Sequence, residues 1–272
     1  MIRTPWGMAA AVLLAASGVA WADDAPGPKP PPVDKVSHTE LRVCADPSNL
    51  PYSNDKQEGF ENKIAQRVAQ DLGETLSFTW YPDSQGFARA TLFRHRCDVI
   101  IGTVEDAEDM RTSTPYYQSG YVLVSRTADN IKSTSVGDPA LQGARFGIIA
   151  STPPTDLLVQ HNLMARGHFY PLVVDTRVEQ PAHDMLVDVV NKKIDIALAW
   201  APVAGYYITH DHLPLKSVPL DPEGRRFFRI KIAMGVRPGD KLFLARLNDT
   251  LAKDKPAIDK ILADYGIPLF DK

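Results

Sequence analysis

LRVCADPSNLPYSN (residues 41–54), GFENKIAQRVAQDLG (59–73), CDVIIG (97–102) and TPYYQSGYVLV (114–124) decide the fold. Each short apolar run reads as a strand. The first breaks into a polar, Pro-containing loop before a helix, which is how α/β sheets build ligand crevices at their strand ends. Two such strand ends, at Asp46 and Gly102, converge on one cleft. The segment after Gly59 places Phe60, Ile64, Val68 and Leu72 on one stripe, with Ala65 and Ala69 beside it, and Gly73 stops it.

The N-terminus has the grammar of an export signal. Arg3 supplies a positive region, residues 8–19 an apolar run too short to span a bilayer comfortably, and Ala20-Trp21-Ala22 a cleavage site. Residues 1–22 are therefore expected to be removed, with no Cys following to carry a lipid anchor. Residues 23–38 begin DDAPGPKPPPVDK, a Pro-rich tether without apolar periodicity. A formal net charge of −3 gives no footprint for nucleic acid or an anionic membrane. The two cysteines, Cys44 and Cys97, invite a disulfide in an oxidising compartment. Cys44 lies late in its strand and Cys97 starts its own, so the alternative of two buried thiols stays open.

Further strands are expected over residues 75–81, 99–101, 121–125, 145–150, 169–174, 194–200 and 227–236. Helices are expected over 86–95, from Ser151 or Thr152 with Pro153 and Pro154 in the first turn, over 182–192 and over 202–207. Two closing helices are expected, one with Leu244, Leu247 and Leu251, the other with Ile258, Ile261, Leu262 and Tyr265. The pattern predicts an α/β protein of two lobes. The first is discontinuous, residues 39–128 with 226–272, and the second spans 129–225. The chain crosses between them twice.

That plan resembles the extracellular solute-binding proteins with the two-lobed periplasmic-binding-protein (Venus flytrap) fold, type II. The four quoted strings, in their order and spacing, resemble more narrowly the methanol-oxidation J family (MxaJ/XoxJ type). The resemblance implies a periplasmic accessory of a quinoprotein (PQQ-dependent) methanol dehydrogenase, and the exported chain is expected to be a monomer. The dehydrogenase large subunit is the expected partner, with its cytochrome c as a further candidate and no cofactor on this chain. Two other functions compete: the binding subunit of an ABC importer for a small polar solute, and, more remotely, an exported dehydratase-like enzyme.

Amino-acid binders of this fold usually place an Arg about nine residues before the Pro-Tyr that follows the third strand, where it forks onto the ligand carboxylate. Counting back from Pro115 gives Asp106, and Arg111 comes four or five residues too late. The acidic residue that usually holds the ligand ammonium is replaced by Trp200. An amino acid is thus not the expected ligand.

The cleft candidates are Asp46, Asn49, Tyr52, Phe60 and Glu61 on one side, with Thr103, Arg111, Tyr116 and Tyr117 opposite. Ser151 and Thr152 present an expected helix N-terminus, open to an anion or acting as a plain cap. Trp200, Tyr206 and Tyr207 form an apolar or peptide-binding wall, or else lobe core. Glu105, Asp106, Glu108 and Asp109 crowd an expected helix start, where the dipole favours carboxylates, and no EF-hand loop turns them into a cation site. His210 and His212 flank Asp211 without evident further metal ligands. No nucleophile elbow, zinc-protease helix, phosphate loop or dinucleotide fingerprint is present.

Overall fold

The computed structural model describes residues 36–224 and 228–270; the expected signal segment 1–22, most of the tether and Phe227 lie outside them. In chain order the elements are β1 (Glu40–Ala45), β2 (Ser48–Asn49), β3 (Ser53–Asn54), α1 (Phe60–Leu72), β4 (Thr75–Trp80), α2 (Phe87–Ala90), β5 (Val99–Val104), β6 (Arg111–Thr112) and β7 (Tyr117–Arg126). They continue with β8 (Phe146–Ile149), α3 (Thr155–Gln160), β9 (Gly167–Tyr170), α4 (Pro181–Val190), β10 (Ile196–Trp200), α5 (Ala201–His210), β11 (Leu215–Pro219), β12 (Arg229–Val236) and α6 (Lys241–Asp264).

One mixed sheet runs in the order β4-β1-β5-β12-β7-β10-β8-β9, with β11 beside β7 and β6 beside β12. β1 is parallel to β4 and β5, so three carboxyl ends open on the same side. β7 is the shared element. Tyr117–Gly120 pair with β12, and from Tyr121 onward the same strand pairs with β10 and β11. The core divides accordingly. Phe60, Ile64, Val68, Leu41, Val43 and Met234 pack in the first half, while the second half buries Met185, Leu186, Phe146, Ile148, Leu157 and Leu198 on the two faces of its sheet.

α1 forms as its stripe requires, with Gly73 in the left-handed conformation at its end. The start of α1 is held from within the core. The Asn62 side chain accepts hydrogen bonds from the backbone N–H of Gly59 and of Asn54, both at 3.1 Å.

Four expectations are corrected. The two closing helices are one, α6, running through Pro256. A proline inside a helix costs about 3 kcal/mol. It is tolerated here because one buried stripe, Phe243, Leu247, Leu251, Ile258 and Leu262, continues across it. Just before the proline, Asp254 receives a bidentate Arg67 guanidinium from α1, at 2.6 and 2.8 Å. Residues 105–109 are a turn rather than a helix start, with Asp106 at φ 59°. Ser151 and Thr152 cap nothing: the Thr152 hydroxyl donates to Ile149 O at 2.6 Å, Ser151 has φ 61°, and α3 begins only after Pro154. The strand expected over 169–174 is β9, which Pro171 ends after Tyr170.

Cys44 and Cys97 are bonded, with Cα atoms 5.4 Å apart. In β1–β5 register Cys44 lies opposite Ile100, but Cys97 sits on the turn ahead of β5, so the strand stagger does not separate them. Beside the bridge lies fully buried Asp98, paired with Arg42 at 2.7 Å and Arg237 at 2.6 Å. Arg237 also donates to the carbonyls of Leu92 and Cys97 and pairs with Asp240 at 2.6 Å. The turn leading into β5 is thus held covalently and electrostatically.

Candidate functional site

The loop after β1 is shaped by its own polar groups. The Asp46 carboxylate accepts from Ser48 N at 2.7 Å and from Asp83 N, while Ser53 Oγ donates to Asp46 O at 2.8 Å. Both Asp46 oxygens are therefore engaged in fixing loops. The loop presents Tyr52, whose ring packs on Phe60 at 5.4 Å.

A cleft of about 490 Å³ opens at these strand ends. Asp46, Asn49, Tyr52, Glu61, Thr103, Tyr117 and Trp200, all cleft candidates from the sequence, line it. It also recruits Asp83, Phe87 and Met110. Asp83 was legible by the same strand-end rule, since it follows β4, the third parallel strand. Phe60 and Tyr116 are core residues instead, and the Tyr116 hydroxyl donates to Ile101 O at 3.1 Å. Arg111 is exposed outside the cleft, with Nε donating to Pro238 O at 3.1 Å. Ser151 is likewise exposed and apart.

Glu61 lies on the floor. Its Oε1 occupies the space over Gly102, where an added Cβ would come within 2.0 Å of it. Only glycine in β5 allows that approach. Burial first, and the Asp83 charge second, push the Glu61 carboxyl up from 4.5 to about 8. A carboxyl whose folded-state pKa is raised contributes stability that is complete below its unfolded value and is lost as pH rises through the folded one. Unfolding free energy from urea titration is therefore expected to fall between pH 5 and pH 9, and Glu61→Gln is expected to remove part of that slope. Equal slopes for the two proteins would refute this assignment.

A second arm of about 310 Å³ adjoins the first, with Asn49, Tyr52 and Trp200 lining both. Its far wall is apolar and comes from the second half of the molecule: Ile149, Leu172, Met185, Leu186, Leu198 and Tyr207 among others, with Thr152 at its edge. Across the boundary Ser48 Oγ donates to Thr176 O at 3.3 Å, and Trp200 lines the cleft beside Tyr52. Burial, then the nearby Glu61, raise the Tyr52 hydroxyl well above the ordinary range, so it stays protonated. Tyr206 faces away from both arms, stacking on Tyr265 at 6.0 Å.

Asp106, at the place where an arginine would fork onto a carboxylate, is exposed and outside the cleft. Among the described residues, no group of three or more His, Cys, Asp or Glu side chains is placed to hold a metal ion, including the 105–109 carboxylates and His210 with His212. Nor is any described helix long and apolar enough to cross a membrane.

A mixed sheet whose strand ends open on a cleft is the periplasmic-binding-protein architecture, and residues 41–266 match the bacterial extracellular solute-binding proteins, family 3, to which the chain belongs. Within it, the chain is similar to protein MoxJ of Paracoccus denitrificans, at 29% identity over 247 residues, 85% of this chain and 89% of that protein. MoxJ of Methylorubrum extorquens is 29% identical over 248 residues, 84% of this chain and 81% of that one. The crystal structure of the periplasmic binding protein XoxJ from Methylobacterium extorquens AM1 superposes with a TM-score of 0.73 at 37% identity, covering 85% of this chain and all of that one. The protein is thus a MoxJ/XoxJ-like solute-binding protein.

Proposed function

We propose that this protein is a periplasmic accessory of methanol oxidation that engages a PQQ-dependent methanol dehydrogenase and helps its assembly or activation. In this reading residues 1–22 direct export, the mature chain is a monomer, and residues 39–128 with 226–272 form one lobe against 129–225. The dehydrogenase large subunit is the first partner and its cytochrome c the second.

The observation that carries the reading is the apolar arm together with its mouth. Leu172, Val173 and Val178 are 54, 89 and 77% exposed on the segment bordering that arm. Apolar side chains left in water beside an apolar cleft suit a protein surface better than a polar solute. The likeness to MoxJ and XoxJ along nearly their whole length supports the same assignment.

Deleting the gene and measuring dye-linked methanol oxidation and dehydrogenase abundance in the periplasm tests the proposal. Activity is expected to fall well below wild type and to return with the intact gene. Wild-type growth on methanol with fully active dehydrogenase, under calcium and lanthanide supply alike, would remove this reading. The second reading, an importer's binding subunit for a polar solute that is not an amino acid, is favoured by the carboxylate-lined arm.

A further inference from the structure

We propose that the carboxylate-lined arm of the cleft is a binding site for a small organic ammonium ion that carries no carboxylate, an alkylamine or arylalkylamine in its protonated form. Three observations converge on this. The charged groups lining the 490 Å³ arm are Asp46, Glu61 and Asp83, and no Lys, Arg or His lines it. Its size falls within the range of small-molecule sites. An anion, or the carboxylate of an amino acid, would meet only like charge there.

The second observation is the state of Glu61. Asp46 has donors for both oxygens, but no described residue donates to the Glu61 carboxylate, which is wedged over Gly102 with its remaining face toward the cleft. Glu61 is half-buried at the cleft, where a carboxylate without a protein donor is open to one brought by a ligand. An ammonium supplies both the missing donors and the missing charge.

The third is the wall. Tyr52, Phe87, Tyr117 and Trp200 line the same arm. Aromatic rings, tryptophan above all, attract cations through the ring quadrupole, and their bodies cover an alkyl or aryl chain. Carboxylate floor and aromatic wall together select an amphipathic cation over a hydrated metal ion.

The binding should be linked to protons. The groups facing Glu61 are Asp83 from the loop after β4, Asp46 at the end of β1, Tyr52 from the following loop, and Tyr116 and Tyr117 at the start of β7; none is cationic at neutral pH. The empty site holds Glu61 protonated below about pH 8. A bound ammonium favours the ionised form, so binding at pH 7 expels a proton to solvent. Affinity then rises from pH 6 toward pH 8 and levels off above it.

Titration calorimetry of the mature protein with n-butylammonium and phenylethylammonium tests the proposal, beside n-butanol, butyrate, norleucine and Ca²⁺. Both ammonium ions are expected to give saturable heat, with proton release visible as a dependence on buffer ionisation enthalpy at pH 7. The four comparison solutes are expected to bind more weakly or not at all. Glu61→Gln, which keeps the shape, is expected to weaken n-butylammonium by about tenfold or more and to abolish the proton release. Gly102→Ala, which displaces the Glu61 carboxylate without removing it, should weaken binding in the same direction. Thermal melts matching wild type qualify each variant, and the proton release of the unmutated protein decides the matter if neither folds. No saturable heat for either ammonium, equal binding of n-butanol, tighter binding of norleucine or Ca²⁺, or unchanged binding by folded Glu61→Gln would overturn the assignment.

Discussion

Replacing Asp98 with alanine is expected to cost about 3–5 kcal/mol of unfolding free energy, the usual consequence of breaking a buried ion pair by removing one partner. Asp98 is wholly enclosed and receives Arg42 through two hydrogen bonds, at 2.7 and 2.8 Å, and Arg237 through another at 2.6 Å. The damage comes from what stays behind. Arg237 is only 5% exposed and would keep two carbonyls and Asp240 but lose the carboxylate it shares with Arg42. Urea unfolding of the variant at pH 7 measures the effect. A loss under about 1 kcal/mol would place the network with solvent-screened surface pairs and contradict its enclosure.

Opening the Cys44–Cys97 bridge is expected to have a comparable effect. The two cysteines are 53 residues apart in sequence, and the loop-entropy estimate for closing such a segment is about 4 kcal/mol. The double replacement Cys44→Ala with Cys97→Ala, compared with reduced and oxidised wild type, separates the bridge from the thiols. Oxidised protein should unfold at markedly higher urea than either reduced wild type or the double variant. Coincident curves for all three would show that the bridge adds nothing. Because Cys97 O accepts from Arg237, which also binds Asp98, losses at the bridge and at Asp98 should not add.

Much of this arrangement was legible in residues 41–124, because strands, helix and breaks there follow local periodicity. The helical stripe and the strand end at Asp46 rest on such patterns, whereas β5 runs on to Val104, so Gly102, read as a strand end, lies inside the strand. Phe60 shows where proximity misleads. It adjoins the cleft in sequence, yet it belongs to the same stripe as Ile64 and Val68, and the neighbouring position, Glu61, is the one turned to the cavity. Tyr116 and Tyr117 divide in the same way, only the second reaching the cleft. α6 was misread because proline is a local signal, whereas the Arg67–Asp254 pair and the stripe on α1 that carry the helix through it are tertiary. The wedge of Glu61 over Gly102 had no sequence signature, since it joins a helix start to a strand forty residues later.

β7 also has a mechanical consequence. The two halves are joined along an unbroken ten-residue strand whose ladder partner changes between Gly120 and Tyr121. At the changeover a Cβ on Gly120 would stand 2.4 Å from Phe228 O, so the return segment passes close enough there that only glycine fits. Such a joint has stiffness where a slack linker would have none. Widening the cleft means flexing a hydrogen-bonded ribbon about one glycine, against the Tyr206–Tyr265 stack on the far side. Any change in the gap must therefore bend this ribbon or break its ladder, which sets a mechanical cost on opening that a slack linker would not impose.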